Sequence, residues 1–204
     1  LISHIEIFDL SFFDYIKMLV TPESKHFCFL LDVSGSMTGR RLSKAKEALI
    51  KTINSSSDQH LLTLITFDDQ AQTIFSAQLS KTLKATDFNT EFIQPITTGG
   101  TTALWKTAME TITGNSLPNL KQVMFIFTDG QDNASDGITQ EQVTDLCNEK
   151  NVAMEIIGIE LQAAERDTYT QATACVSLNQ RGYTQVDDAD DLEGACDEVF
   201  SLYD

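Results

Sequence analysis

Two apolar runs, His26 to Leu31 and Val123 to Phe127, have the makeup of strands covered on both faces. Between and after them the pattern alternates with helical stripes. Leu42, Ala45, Leu49 and Ile53 lie on one face of a helix predicted over 41–54, and Leu61 to Phe67 is again a continuous apolar strand. Asp68-Asp69-Gln70-Ala71 separates that strand from a shorter one at Gln72 to Phe75, a spacing that predicts a hairpin and hence one antiparallel edge. Phe88 and Phe92 mark a short helix, and Ala108 and Ile112 fall one turn apart in a helix predicted over 102–112. The order then runs helix 140–149, strand 152–159, helix 166–174, strand 183–186 and a last helix over 190–203. That last helix carries Leu192, Ala195, Cys196, Val199 and Phe200 on one face. Strands alternating with helices predict an α/β fold: a doubly wound, mainly parallel six-stranded sheet with one antiparallel edge strand and helices on both faces, in the Rossmann-like manner.

Thr21-Pro22-Glu23-Ser24-Lys25 reads as a linker, so 1–24 is expected to be an N-terminal extension, packed on or leading into a single domain at 25–204. The formal charge of -16, from 30 acids against 14 bases, repels phosphate backbones and sets nucleic acid aside as a partner. No stretch has the uncharged apolar length of a membrane span. Cys28, Cys147, Cys175 and Cys196 show no zinc spacing, and three of them fall at apolar positions of predicted elements. Buried free thiols point to a reducing, intracellular compartment.

The chemistry gathers where strands end. Asp32, Ser34 and Ser36 leave the first buried strand at alternate positions, Asp129 follows the second, and Thr98-Gly99-Gly100-Thr101-Thr102 supplies hydroxyls on a loop whose glycines permit close approach. Taken alone, Asp32, Ser34 and Ser36 would be helix caps, and Asp129 a turn residue before Gly130. Together they form an oxygen-only set at one rim of the sheet, the ligand chemistry of Mg²⁺ or Mn²⁺ rather than zinc.

Asp32-x-Ser34-x-Ser36, Gly99-Gly100-Thr101 and Phe127-Thr-Asp129-Gly130-Gln-Asp132-Asn133 resemble, in order and spacing, the metal-ion-dependent adhesion site (MIDAS) of the von Willebrand factor A family. The resemblance covers roughly 25–204. It implies that Ser34, Ser36 and Thr101 give the metal hydroxyl oxygens, that Asp32 and Asp129 act directly or through water, and that the remaining position takes an Asp or Glu carboxylate of a protein partner. Thr102 is then the cap of the following helix. The implied function is a divalent-cation-dependent protein-binding module and not an enzyme. An alternative is a regulatory or scaffolding domain of a larger enzyme, chelatase or ATPase complex. A Mg²⁺-dependent phosphohydrolase is the weaker reading, because the second acid such an enzyme needs is replaced by Ser34.

Other polar residues take structural readings. His4, His26 and His60 are structural, Asp68 and Asp69 turn acids, and Asp132 part of its loop. Arg40, Arg41, Lys44 and Lys46 are expected on a solvated helix face, with Arg40 and Arg41 near enough to the rim to steer an acidic partner. Asp187, Asp188, Asp190, Asp191, Glu193, Asp197 and Glu198 crowd the last helix and its approach. Their mutual repulsion is expected to weaken the docking of that helix, with salt strengthening it and a bound ligand shifting it.

Overall fold

The computed structural model describes residues 24–57, 59–78, 88–115, 117 and 120–203, so the expected extension at 1–24 lies, save Ser24, outside the described residues. The chain runs β1 (Lys25–Asp32), a 3₁₀ turn (Gly35–Met37), α1 (Arg40–Ser55), β2 (Leu61–Phe67), β3 (Ala71–Gln78), a π turn (Asn89–Ile93) and α2 (Leu104–Asn115). It continues through β4 (Lys121–Thr128), α3 (Gln140–Lys150), β5 (Val152–Ile159), α4 (Ala163–Ala174), β6 (Tyr183–Val186), a 3₁₀ turn (Ala189–Asp191) and α5 (Leu192–Phe200). The strands form one six-stranded sheet in the order β3-β2-β1-β4-β5-β6, every pair parallel except the β2–β3 hairpin.

Alternation along β1 divides the core. Phe27, Phe29 and Leu31 face a cluster with Leu42, Ala45, Leu49 and Ile53 of α1 and Leu192, Cys196, Val199 and Phe200 of α5. Cys28 and Leu30 face the opposite cluster, with Leu104, Trp105, Ala108 and Ile112 of α2, Val143 and Cys147 of α3, and Tyr169 and Ala172 of α4. Both faces are therefore covered, which is why β1, β2 and β4 read as largely continuous apolar runs and β5 as one interrupted by Glu155. β3, at the edge, is largely exposed and its pairing with β2 slips between Leu64 and Ile65, so its alternation gave no sign that it continues to Gln78. Cys28, Cys147 and Cys196 are buried free thiols, and Cys175 is exposed.

Two expectations about the last helix change. It begins as a 3₁₀ turn, because the Asp188 side chain accepts the Asp190 amide, and becomes α-helical only from Leu192. Its acids are also paired rather than mutually repelling: Arg40 donates to Asp188 and Asp190, Lys44 lies 3.5 Å from Asp190, and Lys51 reaches Glu193 and Asp197. Of the basic run of α1, Arg40 and Lys44 thus meet acids that lead into α5, while Lys46 donates to the Gln94 and Ile96 carbonyls. Salt screens such exposed pairs. Raising the NaCl concentration should therefore speed amide hydrogen exchange along Leu192–Phe200 relative to the central strands; slowing there would restore the picture of repelling acids.

Candidate metal centre

The strand order reverses between β1 and β4, and in open α/β sheets ligands bind beyond the carboxyl ends of the strands at such a point. Asp32 ends β1, and Asp129 follows the last residue of β4, so the topology sets both acids at that crevice.

Asp32 is fully buried and both its oxygens are engaged, Oδ1 by the Ser34 amide at 2.8 Å and Oδ2 by the Thr128 hydroxyl at 2.6 Å. Burial raises its pKa to about 6, despite those stabilising hydrogen bonds. The Ser34 and Ser36 hydroxyls lie 3.1 Å apart, and Ser36 donates to Asp129 Oδ1 at 2.7 Å. The 3₁₀ turn Gly35–Met37 brings Ser36 back over the strand end, its Met37 amide closing on the Ser34 carbonyl at 3.1 Å. Gly130 is the close neighbour of this group: a Cβ there would sit 3.7 Å from Ser36 Oγ and 3.8 Å from Thr102 Oγ1.

The Thr102 hydroxyl therefore lies beside Gly130 at the rim. Thr102 is buried and Thr101 exposed. The cause is local. Gly100 takes a φ of +66° and turns the chain, and Asn133 then fixes Thr102 by accepting its amide at 3.0 Å, while the Thr102 carbonyl accepts the Asn133 and Ala134 amides. Thr102 is not the cap of α2. The helix start is tied across the crevice, with the Trp105 amide on Asp132 Oδ1 and the Lys106 amide on Ser135 Oγ.

A side chain at position 100 would meet both the left-handed backbone and the Asp69 and Asp68 carboxylates, 2.7 and 2.9 Å from the new Cβ. Gly100→Ala should cost about 1–2 kcal/mol in urea unfolding, the penalty of that backbone region alone, with the side chains at Asp68 and Asp69 giving way. An unchanged midpoint would mean that the loop relaxes freely. Asp68 keeps its turn role as well, its Oδ1 accepting the Gln70 amide at 2.9 Å.

The assembled donors are hydroxyls and carboxylates from three segments, a set suited to a hard divalent cation. Among the described residues no three His, Cys, Asp or Glu side chains converge on one point, so any such ion would depend on the hydroxyls. A cation here would also offset the penalty of holding Asp32 ionised in a buried position.

The family model described as von Willebrand factor type A domain matches residues 27–198. Two von Willebrand factor A domain-containing proteins of Dictyostelium discoideum are 26% and 27% identical over 53% and 59% of this chain. The chain spans only 12% and 14% of their lengths. Among solved structures, a von Willebrand factor type A protein from Catenulispora acidiphila superposes with a TM-score of 0.74 at 15% identity, over 87% of this chain and 42% of its own. Proximal thread matrix protein 1 from the mussel byssus, in a form with a zinc-occupied MIDAS motif, superposes with a TM-score of 0.70 at 17% identity, over 88% of this chain and 45% of its own.

Proposed function

Because the chain belongs to the von Willebrand factor type A domain family, we propose that its rim is a MIDAS that captures an Asp or Glu carboxylate of a partner protein through a Mg²⁺ or Mn²⁺ ion. Ser34, Ser36 and Thr102 would supply hydroxyl oxygens, and Asp32 and Asp129 would act directly or through water, each having both carboxylate oxygens already engaged by protein donors. Thr102 replaces Thr101 in this set. The observation that carries the reading is the contact of Ser36 with both Ser34 and Asp129, a convergence of oxygens from segments 93 residues apart.

When bound, the ion supplies a local positive charge on a strongly acidic domain, attractive to an incoming carboxylate. The residues do the rest: Thr128 and the Ser34 amide hold Asp32 rigid, and Ser36 orients Asp129. We read the domain as non-catalytic. Burial pushes the Cys28 and Cys147 thiols up to about 12, which leaves them protonated and poor nucleophiles, and Ser34 stands where a phosphohydrolase would need its acid. A second reading, a regulatory or scaffolding domain of a larger enzyme or ATPase complex, draws support from the small share of its relatives that the chain spans. It would use the same site.

The test is retention of partners from a lysate on the immobilised domain in Mg²⁺ and again in EDTA, with the variants Ser36→Ala, Thr102→Ala and Thr101→Ala. Mg²⁺-dependent retention should vanish in the first two and persist in the third. Equal retention in EDTA would remove the metal from the account, and loss only with Thr101→Ala would return the ligand role to that residue.

A further inference from the structure

Arg41, at the start of α1, does not extend into solvent. Its Nη1 lies 2.6 Å from Asp129 Oδ2 and 3.3 Å from the Ser36 carbonyl, and its Nε donates to Glu160 Oε2 at 2.8 Å. The Asp129 side chain has no solvent exposure, against 32% for Arg41 and 26% for Glu160, so the guanidinium closes the outer side of the carboxylate. Asp129 is thereby divided: Ser36 takes one oxygen and Arg41 the other.

Glu160 keeps the guanidinium in that position. Its backbone adopts a φ of +54°, uncommon for a residue with a side chain, and its amide donates to the Val186 carbonyl at 2.7 Å. Its second oxygen accepts the Ala189 amide at 3.3 Å. The carboxylate that orients Arg41 is thus itself held from β6 and the turn before α5, and the fork of Arg41 is planar and permanently charged.

On the metal reading above, we propose that Arg41 is a resident competitor at the rim, an internal cation that shares Asp129 and thereby limits how tightly the domain holds a divalent ion. Two effects act in the same direction. The guanidinium occupies an oxygen that a metal would otherwise use, and its fixed charge repels a second cation across a short distance. Arg40, its neighbour in sequence, makes no such contact with Asp129; it pairs with Asp188 and Asp190.

The experiment is Mn²⁺ titration by calorimetry on the parent domain and on Arg41→Gln, Arg41→Lys and Arg40→Gln, with thermal melting in EDTA alongside. Arg41→Gln should bind Mn²⁺ about tenfold tighter, while Arg41→Lys and Arg40→Gln stay within about threefold of the parent. Arg41→Gln should also melt earlier in EDTA, since it leaves Asp129 without its ion pair. A purely structural role would couple that lower melting point to weaker Mn²⁺ binding, so the sign of the affinity change separates the two. Unchanged or weaker binding in Arg41→Gln overturns the proposal, as does an equal gain in Arg40→Gln, which would reduce the effect to net charge. Should Arg41→Gln not fold, Glu160→Gln decides: with its second partner gone, Arg41 leans on Asp129 alone and Mn²⁺ binding should weaken by about threefold or more, unchanged binding being contrary. If no protein, parent included, binds Mn²⁺, the metal reading itself fails and this inference with it.

Discussion

Replacing Glu155 with Leu is expected to remove about 3–5 kcal/mol of stability, a large share of what a domain of this size possesses. Glu155 lies within β5 at 1% exposure, an acid in a strand buried on both faces. It is held there by donors alone. The Gln180 and Arg181 amides reach Oε1 at 3.0 and 3.2 Å, the Gly182 amide reaches Oε2, and the Tyr203 hydroxyl donates to Oε1. Successive amides turned toward one carboxylate form a nest of the kind that stabilises an anion. Leucine would leave the buried Gly182 amide and the Tyr203 phenol without an acceptor, each costing about 1–3 kcal/mol before relaxation, while the Gln180 amide keeps the Tyr203 hydroxyl oxygen at 2.7 Å and Arg181 is exposed to water. The loss should appear in urea unfolding together with faster hydrogen exchange at Gln180, Arg181 and Gly182. Tyr203→Phe removes only one donor and should cost about 1 kcal/mol. A Leu variant within about 1 kcal/mol of the parent would show that the nest is solvated when the acid is gone.

Asp32→Asn is expected to move stability the other way, raising it by about 2–3 kcal/mol in EDTA near pH 7 while abolishing metal binding. Burial raises the Asp32 carboxyl from 3.8 to about 6, so the folded state takes up its proton more readily than the unfolded chain. Stability linked to this group is therefore fully present below the unfolded value and lost as pH rises through about 6. Asparagine never carries the charge, and its carbonyl still accepts the Ser34 amide. His26 acts in the opposite sense. Desolvation lowers it from 6.5 to about 4, so it stays neutral in the fold while the unfolded chain protonates, and stability is lost as pH falls from 6.5 toward 4. Over that window the two nearly cancel in the parent, at about 3 kcal/mol each. The variant keeps only the His26 slope. Unfolding curves in EDTA near pH 7 and about pH 4.5 should show the advantage of Asp32→Asn shrinking as pH falls. A variant less stable than the parent near pH 7 would make the carboxylate a structural acceptor instead of a strained ligand.

Most of the fold was legible because burial on both faces leaves a simple mark, long apolar runs at β1, β2 and β4, and at β5 apart from Glu155, with charged or glycine-containing loops between them. The strand ends then placed Asp32, Ser34, Ser36 and Asp129 at one rim by topology alone. What escaped depends on loop conformation and on distant pairing. Thr101 and Thr102 are adjacent hydroxyls, and only the left-handed turn at Gly100 and the grip of Asn133 decide which is buried beside Gly130. The basic residues of α1 looked solvated because their partners, Asp188, Asp190, Glu193 and Asp197, come from the far end of the chain and meet them only when α5 packs beside α1. Arg41 likewise meets its partners, Asp129 and Glu160, only through the fold, 88 and 119 residues further along the chain. The one signal available for Glu155 was its presence as an acid in an otherwise apolar strand, a pattern that asks for buried donors.

If the oxygens at the ends of β1 and β4 hold a divalent cation, crystals soaked in Mn²⁺ should give a single strong anomalous peak within bonding distance of the Ser34 and Ser36 hydroxyls, beside Thr102 and Asp129, with an exchangeable position open to solvent. A peak elsewhere on the domain, or none at millimolar Mn²⁺, would contradict that reading.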